Sequence, residues 1–315
     1  MTRREFLAGA ASGAVLTGCG TFGRSAFSPG ASADKSYDFT VGGRLRLEWP
    51  GCPEPVRLWV IGDTHLALRD ARDADHADHC ARMSKWPGKK EDFEAMLVRA
   101  RREKPDLLVL VGDNISFPTL ANVDYLKGTL DACGVPWAYV AGNHDWHFEG
   151  EDGSDLEQRA RWTERRLGPL YQGANPLMAS RVVKGVRVVL IDNSLYHVLP
   201  EQLEFYRAEA AKGDPVCLCL HIPLWTPGAD VLTCGCPTWG AATDPYWQIE
   251  RRARWAERQM PSTFAFREAV LATPNLVGVF AGHIHALQVA RQSGQNLFTV
   301  PGNQAGEFLD VTIGG

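Results

Sequence analysis

The chain has 315 residues, a formal net charge of −4, and 45% hydrophobic and 22% charged residues. That is the composition of an ordinary globular protein built around one large domain. A slightly acidic balance excludes the basic footprint of a nucleic-acid-binding protein.

Residues 1–18 stand apart from the fold. Thr2-Arg3-Arg4-Glu5-Phe6-Leu7 resembles a twin-arginine export signal, and a weakly apolar run from Phe6 to Thr17 follows it. That run of twelve residues is too short for a stable bilayer span, which takes about 20. Leu16-Thr17-Gly18-Cys19 resembles a bacterial lipobox with Cys19 as the acylated first residue. The alternatives are a soluble exported protein cleaved near Ala33, within Ala31-Ser32-Ala33, or an uncleaved leader. Residues 19–36 are small, polar and Pro/Gly-bearing, the composition of a flexible tether that holds a folded domain (37–315) off a membrane surface. The expected location is periplasmic, or another extracytoplasmic membrane face.

From residue 37 onward strand and helix patterns alternate. Segment 37–49 reads as a strand pair turning through Gly42-Gly43, and 56–61 as the next strand. A helix over 90–103 is amphipathic through Phe93, Met96, Leu97 and Ala100. The pattern continues with strand 107–111, helix 122–132, strand 137–141 and helix 155–167. Strands 180–184 and 186–191 pair around Lys184-Gly185, followed by helix 201–212, strand 216–220, helix 263–272 and strand 277–281. Segments 287–292, 296–300 and 307–313 close the chain as strands. Mixed βαβ units with terminal β segments predict two packed mixed β-sheets flanked by helices, an α/β/β/α sandwich. There is no internal repeat and no second domain.

Five apolar runs end in a metal-ligand residue. They are VRLWVIGDTH (Asp63, His65), LLVLVGDN (Asp113), WAYVAGNHD (Asn143, His144, Asp145), VCLCLH (His221) and LVGVFAGHIH (His283, His285). Short buried strands read as continuous apolar runs, and ligands gather outside the carboxyl ends of strands in an open α/β sheet. A Gly before the ligand lets the backbone turn sharply and brings donors together. Asp63/His65 and His283/His285 are two apart, so on extended backbone each pair projects to one side. Carboxylate, amide and imidazole without thiolate suit Mn, Fe, Zn or Co. Two such metals about 3.5–4 Å apart need a bridging carboxylate, and Asp113, alone on its strand end, is the natural bridge.

This ordered set, Asp-x-His, Gly-Asp, Gly-Asn-His-Asp, His and Gly-His-x-His, resembles the calcineurin-like metallophosphoesterase superfamily over residues 63–285. The resemblance implies two metal ions. Asp63, His65 and His285 would hold the first, Asn143, His221 and His283 the second, and Asp113 would be shared. It also implies that His144 protonates the leaving oxygen or steadies the phosphate, and that Asp145 fixes the His144 ring. The implied activity is hydrolysis of phosphomono- or phosphodiesters by a metal-activated hydroxide. The alternatives are a non-catalytic metal-binding scaffold of the same fold, whose mark would be a lost ligand, and a structural zinc protein, which calls for a closed, often Cys-bearing site. Purple acid phosphatases carry Tyr three residues after the bridging Asp; Ser116 stands there in this chain. Gly-Asp-Asn with Gly-Asn-His-Asp looks more like the branch that includes bacterial cyclic-nucleotide phosphodiesterases. The partner is a small-molecule or lipid phosphoester.

Two insertions exceed ordinary connections of about 4–6 residues. The first, 66–89, holds His76 and His79 and reads as a solvated loop, a substrate-contacting flap or an extra metal site. The second, 225–261, holds Trp225, Trp239, Trp247 and Trp255 and a helical stretch over 249–259; it reads as local packing or an aromatic lid. Cys217 and Cys219 alternate on a buried strand and read as core. Cys234 and Cys236 bridge each other, pair with Cys52 or Cys80, or stay free; the pairing of Cys133 is equally open.

Overall fold

The computed structural model describes residues 35–40, 44–50, 52, 54–83, 88–224 and 260–314. Among the described residues, twelve strands form two six-stranded sheets. The first runs β1 (Tyr37–Thr40), β2 (Arg44–Leu47), β12 (Leu309–Ile313), β3 (Val56–Ile61), β4 (Leu107–Val111), β5 (Trp137–Val140) across its width. The second runs β10 (Gln288–Gln292), β11 (Gln295–Thr299), β9 (Leu276–Ala281), β8 (Val216–Leu220), β7 (Val186–Ile191), β6 (Met178–Val183). β3, β4 and β5 are mutually parallel, as are β7, β8, β9 and β11, while β6 and β10 are antiparallel edges.

The continuous apolar runs arise because each central strand is covered on both faces. Alternate residues point to opposite sides of a sheet. Leu107, Val109 and Val111 of β4 therefore meet Val186, Val188, Cys217, Cys219 and Phe280 between the sheets. Leu108 and Leu110 face the other way, onto Phe93, Met96 and Leu97 of α2 (Lys90–Glu103) and Val123, Leu126 and Leu130 of α3 (Leu120–Cys133). On the far side Val189, Ile191, Val216, Leu218 and Leu220 pack under α5 (Pro200–Ala210) and α6 (Pro261–Ala272) through Leu203, Tyr206, Phe266 and Val270. The result is the expected α/β/β/α sandwich, with Cys217 and Cys219 in the inter-sheet core.

Three local expectations change. The helix expected over 155–167 stops at Trp162 as α4 (Asp155–Trp162), then widens through Thr163–Leu167 and tightens over Gly168–Tyr171, where Pro169 supplies no N–H to a continuing helix. Insertion 66–89, over its described residues, is helical and anchored though exposed along much of its length. It carries a 3-10 turn (Ala71–His76) running into α1 (Ala77–Met83), pinned by buried Asp73, which accepts from Leu120 N at 2.9 Å and pairs with Arg166 at 3.3 Å. His76 stacks on Phe148 with ring centroids 4.3 Å apart, and His79 Nδ1 meets the Glu149 carbonyl at 3.0 Å. Finally, the tether ends earlier than residue 36. Lys35 is buried, donates to Gln295 Oε1 and lies 6.0 Å from the Trp49 ring; burial lowers its pKa to about 8. Residues 1–34, and residues 225–259 with their four Trp, Cys234 and Cys236, lie outside the described residues.

Candidate metal centre

Three glycines let the strand ends converge. A Cβ on Gly142 would lie 2.2 Å from Asp113 Oδ1; one on Gly112 would lie 2.6 Å from both Gly142 N and His221 Nδ1. On Gly282 it would lie 2.9 Å from Asp63 Oδ2 and 3.0 Å from the Val111 carbonyl. The glycines thus serve close approach more than turning, since only Gly112 among them has positive φ (87°). The left-handed backbone falls on the candidate ligands instead: Asp63 (56°), His65 (50°), Asp113 (51°), His283 (71°) and His285 (59°). Such conformations are costly for L-residues and concentrate at functional sites held in place by their surroundings. They also replace the extended backbone expected for the two i, i+2 pairs, and His283 and His285 diverge into different clusters.

Metal-capable atoms of Asp63, His65 and His285 lie within 4.8 Å of one another, as do those of Asp113, His221 and His283, and those of His65, Asp113 and His144. His285 Nε2 is 3.2 Å from Asp63 Oδ1 and 3.2 Å from His65 Nε2. Asp113 Oδ2 is 3.2 Å from His221 Nε2 and 3.9 Å from the Nε2 atoms of both His65 and His144. Asp113 is therefore the carboxylate that faces both halves. Asn143 follows Gly142 at the end of β5, and its Oδ1 is buried without a hydrogen-bond partner. A buried amide oxygen left so is costly unless something electropositive meets it. Together with the carboxylate and imidazole donors, it fits a pair of divalent or trivalent ions.

Charges within the site are strongly coupled. Burial disfavours a charged His221, but Asp113 and Asp63 outweigh that and raise its pKa to about 9. His285 is likewise raised, burial being outweighed by Asp63. Burial, then His144 and His285, hold His65 well below the usual imidazole range. The Asp113 carboxyl is held well below its usual range because His221, His144 and His65 overcome burial. His221 Nδ1 donates to the Val111 carbonyl at 2.8 Å, which fixes the tautomer and turns Nε2 toward Asp113.

The surrounding shell differs from expectation at Asp145. Its carboxylate accepts backbone N–H groups from Gly142 (2.7 Å), Asp113 (3.0 Å) and Ile115 (3.0 Å), so it ties the β4 and β5 loops together rather than fixing the His144 ring. Burial and the Asp113 charge raise its pKa, opposed by the Gly142 and Ile115 N–H groups. His144 is half-buried, its N–H donates to Asp113 Oδ1 at 2.8 Å, and its ring meets His65 edge-on with centroids 4.9 Å apart. Ser116 Oγ donates to the His65 carbonyl at 3.1 Å, beneath the first cluster. His76 and His79 belong to none of the metal-capable groups among the described residues.

Sequence reasoning missed Asn193. Its Oδ1 accepts from His221 N (3.2 Å) and Ile222 N (3.0 Å), and its Nδ2 donates to the Ile222 carbonyl (2.7 Å). It clamps the loop that carries His221. The signal was present, because VRVVLIDN is another apolar strand ending in polar ligand types, only without a Gly.

The chain is similar to known proteins. A "Probable cyclic nucleotide phosphodiesterase" of Psychrobacter arcticus is 24% identical over 257 residues, covering 78% of this chain and 79% of that protein. A purple acid phosphatase from yellow lupin seeds shares the fold at TM-score 0.52 and 13% identity, covering 85% of this chain and 47% of that one. A dimetal phosphatase from Danio rerio superposes with TM-score 0.47 at 16% identity, covering 79% and 88% of the two chains. The calcineurin-like phosphoesterase profile matches residues 56–287, and the chain belongs to that family.

Proposed function

We propose that the chain is a dinuclear-metal-dependent phosphoesterase, with Asp63, His65 and His285 holding one ion, Asn143, His221 and His283 the other, and Asp113 both. The observation that carries this reading is the pair of three-residue clusters Asp63–His65–His285 and Asp113–His221–His283, with Asp113 Oδ2 3.2 Å from His221 Nε2 and 3.9 Å from His65 Nε2 of the other cluster. Bound ions would supply Lewis-acid polarisation of the phosphoryl oxygens and activation of water at neutral pH. The chain's own part is to orient and to move protons. Asp145 locks the two loops bearing Asp113 and Asn143, the Val111 carbonyl orients the His221 ring, and Asn193 holds the His221 main chain. His144 lies beside Asp113 and His65 at the centre of the site, placed to donate a proton to the departing oxygen.

The Psychrobacter relative makes cyclic and linear phosphodiesters the first esters to test. The stripped protein should hydrolyse nothing until Mn, Fe, Zn or Co is added, and then hydrolyse a diester or monoester at a rate set by the metal. Uptake of two equivalents of metal without hydrolysis of any ester would leave the non-catalytic scaffold instead. We also propose export through the twin-arginine leader with lipidation at Cys19. A Cys19→Ala chain that stays in the membrane fraction would refute the anchor.

A further inference from the structure

Ten non-glycine residues have left-handed backbone among the described residues. Five are the candidate ligands. Lys104 and Gln172 end helical turns. Lys184 and Ser293 occupy the hairpin turns ahead of Gly185 and Gly294, between β6 and β7 and between β10 and β11. That leaves Tyr196, with φ 65°. A ring-bearing residue in this region is a genuine outlier, and it persists only where its surroundings over-determine it.

They do so here. Tyr196 lies in the loop between β7 and α5. Asp192, at the start of that loop, pairs with Arg159, and its Oδ1 accepts from Ser194 N (2.9 Å) and Ser194 Oγ (2.6 Å). Asn193 is clamped to the His221 loop, and Tyr196 N donates back to the Asn193 carbonyl at 2.8 Å. At the other end Val198 N donates to Thr263 Oγ1 (2.9 Å), and Ser262 Oγ donates to the Val198 carbonyl (2.6 Å). This rigid loop presents the half-buried Tyr196 ring, with His197 half-buried beside it. The Tyr196 ring stands edge-on to His283, centroids 5.8 Å apart and planes at 80°, so it borders the Asp113–His221–His283 cluster. On its other side lies a narrow crevice of only about 20 Å³, bordered by Tyr196, His197, Pro223, Leu224, Phe264 and Arg267, so a ligand ring would meet the Tyr196 side chain at the surface rather than enter a preformed pocket.

We propose that Tyr196 is a specificity residue whose ring packs against the organic alcohol of the ester, selecting esters in which that group is a flat aryl or heterocyclic ring. The inference rests on the phosphoesterase reading for its substrate class. A phosphoryl group between the two clusters directs its ester substituent outward past one rim, and Tyr196 is the aromatic rim residue in contact with a ligand of the second cluster. Flat rings stack or meet edge-to-face on such a side chain. The strained backbone fixes where the ring stands.

The test replaces the ring but keeps the backbone. Asn tolerates left-handed φ, so Tyr196→Asn is compared with Tyr196→Phe and wild type, all metal-loaded. Substrates are an aryl phosphate ester and its methyl counterpart. Phenylphosphonate and methylphosphonate, which are not hydrolysed, serve as calorimetric ligands. In Tyr196→Asn the aryl ester should lose tenfold or more in kcat/KM, almost all of it in KM, and phenylphosphonate should bind tenfold or more weakly. The methyl compounds should change less than twofold, and metal stoichiometry and Tm should hold. Tyr196→Phe should stay within threefold of wild type. Equal losses on aryl and methyl compounds, a loss confined to kcat, or unchanged phenylphosphonate binding would overturn the assignment. A wild-type protein that hydrolyses neither ester but binds phenylphosphonate in a Tyr196-dependent manner would leave this contact standing and remove the catalytic reading.

Discussion

A methyl group at Gly142 is the smallest change that should dismantle the metal centre. A Cβ there would sit 2.2 Å from Asp113 Oδ1, 2.4 Å from Asp113 N and 2.9 Å from Asp113 Cγ. Non-bonded heavy atoms rest at about 3.5 Å, so Asp113 must retreat by roughly 1 Å or more. Coordination distances tolerate only about ±0.2 Å. The retreat exceeds that several-fold, and Asp113 has nowhere to relax: its φ is already 51° and its N–H is held by Asp145 Oδ2 at 3.0 Å. Overpacking costs typically about 1–3 kcal/mol, and a clash with backbone as well as side chain belongs at the upper end. G142A should therefore lose about 3 kcal/mol in urea unfolding of the stripped protein. It should also fail to retain two equivalents of metal after dialysis, read by mass spectrometry. The companion change is Gly128→Ala, in α3, where a Cβ meets nothing within 4 Å. It should gain about 0.5–1 kcal/mol from helix propensity and keep its metals. A G142A protein with full metal content and wild-type unfolding would refute the reasoning.

Other outcomes follow from the same geometry. Asp113→Ala should lose metal and hydrolysis together, whereas His144→Ala should keep both ions and lose rate, which metal analysis beside single-turnover kinetics separates. Asn193→Ala should weaken the second ion about 10–100-fold while leaving the first cluster loaded; a Co(II) titration showing two undiminished binding steps would count against it. In the stripped protein the His221 pKa stands near 9, above the unfolded imidazole, so its contribution to stability is fully present below about pH 6.5 and lost as pH rises through about 9. The loss is on the order of 3 kcal/mol at most. An ion must displace that proton, so metal affinity should rise with pH across the same window, with proton release detectable by calorimetry in two buffers. An affinity flat from pH 6.5 to 9 would mean that His221 is not a ligand.

The strand ends were legible because burial on both faces writes itself as an uninterrupted apolar run, and the polar residue that follows it then stands out. That is how β3, β4, β5, β8 and β9 could be placed, each with its ligand types, from sequence alone. What did not show is everything decided by atoms distant along the chain. The Asp145 carboxylate binds the main chain of residues 113 and 115, some thirty positions away. Asn193 reaches residues 221 and 222. The left-handed turns at Asp63, His65, His283 and His285 fall on residues with no intrinsic preference for them strong enough to read. The first insertion read as a solvated loop because its helical turns are exposed on one side, while the contacts that hold it down, Asp73 to Leu120 N and Arg166, and His76 to Phe148, reach residues 47 or more positions away.

The place of β12 bears on how the chain is made. It lies between β2 and β3, pairing parallel with the first and antiparallel with the second, and in the strand order it alone joins the β1–β2 hairpin to the rest of its sheet. During synthesis β3, β4 and β5 emerge early, and the whole second sheet is available by residue 299, yet β3 keeps one unpaired edge until residues 309–313 arrive. An open edge beside an apolar face is a template for wrong partners. The nascent chain therefore carries the candidate metal-ligand cluster on a sheet whose open β3 edge is closed, among the described strands, by β12.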